Sequence, residues 1–154
     1  MRTIQWGVIV CACIFLFGCT TGTTGNPAVD ATAGNHRLAP CPKTPNCVSS
    51  LQPNDPHYVP PLRYTGDRDA AFRKLVALIT SYPRARIVAK EANDLRVEFR
   101  SAIFRFVDDT TFFFSADQPV IHVRSASRVG YSDFGVNRRR VEDIRKRWNK
   151  ALLD

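Results

Sequence analysis

The sequence predicts an α+β fold, a single domain with a mostly antiparallel sheet of four or five strands packed against an N-terminal and a C-terminal helix. Three observations predict it. Phe72, Leu75, Val76 and Ile79 recur at helical spacing. From Ile87 onward the apolar period switches to two, with short polar turns between the runs. Val141, Ile144, Trp148 and Leu152 then mark one face of a closing helix.

The folded part begins near Leu38 and runs to Asp154, long enough for a single core. Leu51 to Tyr64 is rich in Pro, Asn and Asp without a usable period, and reads as extended loop. Asp67 is placed to cap the first helix, and Tyr82-Pro83 stops it. Ile87 to Ala89 is strand-like, and Asn93-Asp94 is a turn. In LRVEFR, Leu95, Val97 and Phe99 alternate with Arg96, Glu98 and Arg100, which predicts a half-buried strand with one wet face. IFRFV and TFFF are apolar runs on either side of Asp108-Asp109, and Phe112 to Phe114 suits a strand packed on both faces. Gln118-Pro119 turns the chain into VIHVR, a further strand. Connections this short favour an antiparallel meander.

Residues 1–37 carry an address rather than a fold. Arg2 precedes an apolar run from Val8 to Phe17, shorter than the roughly 20 residues a membrane-spanning helix needs, so 1–18 reads as an export leader. Leu16-Phe17-Gly18-Cys19 resembles the lipobox of bacterial lipoproteins, with Phe17 in place of the usual small residue. The resemblance implies cleavage before Cys19 and its acylation, palmitate included, a lipid anchor in the cell envelope. Thr20 after the cysteine, rather than Asp, implies the outer membrane, with the domain facing the periplasm. Residues 19–37 then form a lipidated tether. Thr20 to Gly34 carries almost no large apolar residue and spans about 20–25 Å on average.

With Cys11 and Cys13 in the leader and Cys19 acylated, Cys41 and Cys47 remain as an even pair in CPKTPNC. In an exported protein such a pair is most simply a disulfide. A redox pair would be spaced C-x-x-C, and a zinc site with His36 and His57 matches no common pattern, so no metal and no cofactor is expected. The chain has 22 Lys and Arg against 14 Asp and Glu, a formal net charge of +8. That charge suggests an anionic partner such as a phosphate or lipid head group. Nucleic acid is not expected, because no recognised module is present.

One stretch stands out chemically. RSASRVGYSDFGVNRRR, from Arg124 to Arg140, links the last strand to the last helix. Arginines at a helix start oppose its dipole. Either Asp133 or Asn137 caps the helix and the arginines pair with Asp108, Asp109, Asp133, Glu142 and Asp143, or the stretch is an anion cradle. The cradle would use Arg124, Arg128, Arg138 and Arg139, with Ser125, Ser127, Tyr131, Asp133, Asn137 and Asp109 around them. If apolar walls adjoin such an arginine mouth, an amphipathic ligand with an anionic head suits it.

CPKTPNCVSS, FRFVDD and RSASRVGYSDFGVNRRRVEDIR together resemble the family called domain of unknown function 1499, over nearly all of Cys41 to Trp148. The resemblance implies a small, often exported or membrane-associated domain. It implies no established reaction, cofactor or catalytic residue. It singles out Asp108, Asp109, Arg124, Ser125, Ser127, Arg128, Tyr131, Asp133, Asn137, Arg138 and Arg140 as positions to test.

The catalytic residues are unknown, and an enzyme is the less favoured reading. His122 with Ser125 or Ser127 and Asp133 includes the residue types of a triad, but no G-x-S-x-G elbow is present. Asp108 and Asp109, adjacent on a strand, should point to opposite faces, one toward the arginines and the other as a turn or cap residue. The leading expectation is a lipid-anchored envelope domain that binds an anionic or amphipathic small ligand. The alternatives are a small enzyme using Asp108 or Asp109 beside an arginine clamp, and a structural module for an envelope protein partner.

Overall fold

The computed structural model describes residues 38–153. The expected leader, Cys19 and the expected tether lie outside the described residues. The first turn of structure is CPKTPNC, where Cys41 and Cys47 are joined in a disulfide with Cα atoms 5.7 Å apart. It leads into β1 (Cys47–Ser49), then β2 (Leu62–Arg63) and α1 (Arg68–Thr80). The meander follows as β3 (Ala85–Lys90), β4 (Asp94–Arg100), β5 (Val107–Phe114) and β6 (Val120–Ser127), and α2 (Val136–Ala151) closes the chain.

The expected α+β architecture is present, and all pairings in the sheet are antiparallel. Its order is β1-β6-β5-β4-β3, with β2 also paired to β6, so the sheet has six strands. The two strands that the sequence pattern did not indicate are β1 and β2. Each is too short to show a period, and β2 lies inside the segment read as loop. Both dock on the edge of β6, where backbone pairing rather than side-chain pattern defines them.

Asp67 caps α1 as expected, its side chain accepting from Ala70 N at 2.7 Å. Leu75 and Ile79 of α1 and Val141, Ile144 and Trp148 of α2 pack on one face of the sheet. That face presents Leu95, Val97, Phe99, Phe112, Phe114, Ile121 and Val123. Every buried member of this cluster lies within 48–148, so a chain of residues 38–154 includes the core of the described residues. Trp148 is fully buried and donates its indole N–H to Arg63 O at 2.6 Å, which ties α2 to β2.

One expectation about β5 is corrected. Asp108 and Asp109 are not flanked by two strands; they lie inside one, and Ile103 to Phe106 stands exposed in the β4–β5 loop. Phe112, Phe113 and Phe114 are all buried, as a strand packed on both faces requires.

Candidate functional site

Strand alternation decides where the predicted site residues go. On β6, Ile121, Val123, Ser125 and Ser127 face the helices, while His122, Arg124 and Ala126 face the other way. On β5, Asp108 stands opposite Ser127 and Asp109 opposite Ala126, so the two carboxylates take opposite faces. The residues expected to form one cradle are therefore divided into two sets by the sheet.

The helix-side set is a closed polar network. Asn137, 0% exposed, is its hub. Its amide donates to Asn46 O at 3.2 Å, Ser127 Oγ at 3.1 Å and Asp133 Oδ2 at 2.8 Å. Its carbonyl oxygen accepts from Ser125 Oγ at 2.5 Å and Arg140 Nη1 at 2.8 Å. Ser125 Oγ also lies 2.7 Å from Thr110 Oγ1. Asp108 accepts from Ser127 Oγ and from Arg140 Nη2, both at 2.6 Å. The Arg140 guanidinium also lies 4.7 Å from the centre of the Phe99 ring. Asp108 is thus not a turn or cap residue: each aspartate faces an arginine, on its own side of the sheet.

The network also accounts for arginines at a helix start. Asp133 is the residue that satisfies the free amides, accepting from Gly135 N at 2.8 Å and Asn137 N at 2.7 Å. Gly135, at φ 76°, makes the turn into α2, and a Cβ there would meet Arg139 Nη1 at 3.1 Å. Arg138 donates to Tyr58 O and Pro56 O, each at 2.7 Å, and Arg139 donates to Phe134 O at 2.8 Å. Arg140 is held by Asp108. All three guanidinium groups fold back onto the chain, binding carbonyls and a carboxylate instead of facing the positive helix end.

The opposite face carries the second set. Arg128 grips Asp109 through two bonds of 2.8 Å and reaches Glu98 Oε1 at 2.6 Å. Arg86 holds the other oxygen of Glu98 at 2.9 and 3.2 Å. Burial raises the Glu98 carboxyl, but the hydrogen bonds from Arg128 and Arg86 outweigh it and hold it below its ordinary value. Arg124 lies between Thr111 and Ser49 in register, 7% exposed, and its Nε has no hydrogen-bond partner. Burial lowers its affinity for the proton, against the pull of Asp109. Tyr131 points to solvent, 73% exposed, and joins neither set.

The triad types do not assemble. His122 Nδ1 lies 3.2 Å from Ser50 Oγ, a buried hydroxyl that also accepts from Val123 N, and Ser125 and Ser127 are on the other face. Among the described residues, no group of three His, Cys, Asp or Glu is placed to hold a metal ion.

What the sequence did not reveal is a groove at the end of the sheet where the β4–β5 loop meets the β6–α2 loop. Its volume is about 430 Å³. Phe104, Phe106, Val129, Phe134 and Val136 wall it, over a polar floor of Asp108, Ser127 and Asp133. Phe104 and Phe134 are 73% and 86% exposed, and the rings of Phe104 and Phe106 stack with centroids 5.6 Å apart. The signal was present in IFRF and in the Phe134 of SDFG. An apolar residue in a loop and one in a core strand look alike in sequence, and only the fold shows which is uncovered.

The profile of a family described as "Protein of unknown function (DUF1499)" matches residues 37–148. No curated protein matches the chain. Among the described residues, no helix is long and apolar enough to cross a membrane.

Proposed function

This chain belongs to the DUF1499 family of proteins of unknown function, and from that premise we propose that it is an envelope lipoprotein whose domain binds an amphipathic small ligand in the groove between the β4–β5 and β6–α2 loops. The observation that carries this reading is the exposed apolar wall of the groove. Large aromatic side chains gathered on two loops at one end of a sheet mark an interaction site, and apolar walls with a few polar groups below suit a ligand with a chain. The arginine-rich stretch contributes through its backbone course: it supplies Val129, Phe134 and Val136 and part of the floor, while its guanidinium groups brace the loops. The enzyme alternative has less support, because Asp108 and Asp109 are each committed to an arginine.

Thermal melting of residues 38–154 with twelve-carbon amphiphiles tests the groove. A ligand at 100 times its dissociation constant stabilises by about 2.7 kcal/mol, a rise of several degrees for a domain this size. Phe134→Asp is expected to abolish the rise while leaving the ligand-free melting temperature within about 2 °C, since the side chain is exposed. A rise that survives Phe134→Asp together with Phe104→Asp, or no rise with any amphiphile, would sink the reading.

The envelope address rests on the lipobox-like segment and the tether. The Cys19→Ser variant is expected to leave the membrane fraction or to accumulate unprocessed. Normal processing and unchanged membrane retention would show that Cys19 is not the anchor.

A further inference from the structure

Beside the groove, across the β4–β5 loop, Arg84, Arg86, Arg100 and Arg105 line a second recess of about 270 Å³. Ser101 lines both recesses. It is fixed there, its amide donating to Phe106 O and its hydroxyl accepting from Phe106 N, both at 2.9 Å. Among the described residues, the carboxylate that reaches these arginines is Glu98, and it is shared. Arg86 lies 2.9 Å from it, Arg100 3.7 Å and Arg128 2.6 Å. Arg84 uses its Nε on Arg100 O at 3.3 Å, and Arg105 forms no ion pair among the described residues. The recess therefore holds more positive charge than the described residues neutralise. Arg84 and Arg105 also sit in left-handed backbone, at φ 61° and 55°, a conformation that side-chain-bearing residues rarely adopt.

We infer that this four-arginine recess is the head-group subsite of the groove, and that the ligand is an amphiphile ending in a phosphate-type oxyanion. The inference rests on the groove reading above for the apolar end of the ligand. Four arginines, from β3, β4 and the segments that precede β3 and follow β4, line this recess and exceed what one planar carboxylate takes up. A tetrahedral oxyanion has acceptor directions for more than one of them. The loop Ser101–Phe106 supplies both halves of the site, with Arg105 on the charged side and Phe104 and Phe106 on the apolar side.

The test measures binding to residues 38–154 of four probes: dodecyl phosphate below its micelle concentration, a neutral twelve-carbon monoglyceride, inorganic phosphate, and phosphatidic acid vesicles. Dodecyl phosphate is expected to bind about tenfold more tightly than the monoglyceride, as charge-assisted bonds to arginine require. That preference should shrink as salt is raised. Arg84→Gln with Arg105→Gln should remove the preference and leave monoglyceride affinity unchanged. Neither side chain is in an ion pair among the described residues, so the fold should survive the change. Equal affinity for the two chains, or a preference intact in the double variant, overturns the head-group subsite and leaves the groove standing. Binding of inorganic phosphate with no binding of either chain overturns the groove and makes the recess a free-phosphate site. Binding of vesicles without binding of monomeric dodecyl phosphate overturns a single-molecule subsite in favour of docking on a lipid surface.

Discussion

Asp108→Ala should cost about 3–5 kcal/mol of stability, because removing one partner of a buried ion pair leaves the other charge uncompensated. The side chains of Asp108 and Arg140 are 7% and 13% exposed, and their 2.6 Å contact is the shortest link between β5 and α2. Without the carboxylate, Arg140 keeps, among the described residues, Asn137 Oδ1 and the Phe99 ring, and Ser127 Oγ loses its acceptor. At about 4 °C per kcal/mol for a domain of this length, the melting temperature should fall by about 12–20 °C. Calorimetry or far-ultraviolet melting of residues 38–154 reads this directly. The double variant Asp108→Leu with Arg140→Met should recover much of the loss, since an apolar pair of similar volume often replaces a buried ion pair without penalty. A fall of less than about 4 °C for Asp108→Ala would mean that the carboxylate is not a structural partner of Arg140. It would return Asp108 to the list of candidate catalytic or ligand groups.

Asn137→Ala should be the next most damaging single change, at about 3 kcal/mol. Five hydrogen bonds pass through this one amide, two of them to charged groups, and each contributes about 0.5–3 kcal/mol net. The sum is not additive, because Ser125, Ser127 and Arg140 each retain a further bond and Asp133 retains two. The test is decisive between two roles. A hub that joins α2 to β6 and to the CPKTPNC turn lowers the melting temperature by about 12 °C when truncated. A residue kept for contact with a ligand leaves the free protein as stable as before. A melting temperature within about 3 °C of the parent would favour the second role.

Much of the architecture was legible because it follows from period and punctuation. The helical face from Phe72 to Ile79, the Asp67 cap and the closing face from Val141 to Trp148 are local signals, and each became the expected element; LRVEFR became a strand, but Glu98 on its expected wet face is buried under arginines. The disulfide followed from an even pair of cysteines in a chain whose first residues read as an export leader. The short strands β1 and β2 were not legible, since two or three residues have no period. The loop Ile103–Phe106 was misread as strand for the opposite reason: it carries strand-like residues, but its side chains stay exposed.

The candidate site divides along the same line. The chemical character of the Arg124–Arg140 stretch, and the opposite facing of Asp108 and Asp109, were fixed by residue type and by the two-residue repeat of a strand. Which arginines are already engaged was not, because their partners come from far along the chain. Asp108 reaches Arg140, Glu98 reaches Arg128, and the carbonyls of Pro56 and Tyr58 reach Arg138. The groove and the four-arginine recess are likewise made where two loops and two strand ends converge. Local sequence sets secondary structure because its interactions lie within a few residues. It cannot set which charges are neutralised or which apolar side chains stay uncovered, since both depend on what the fold brings alongside them.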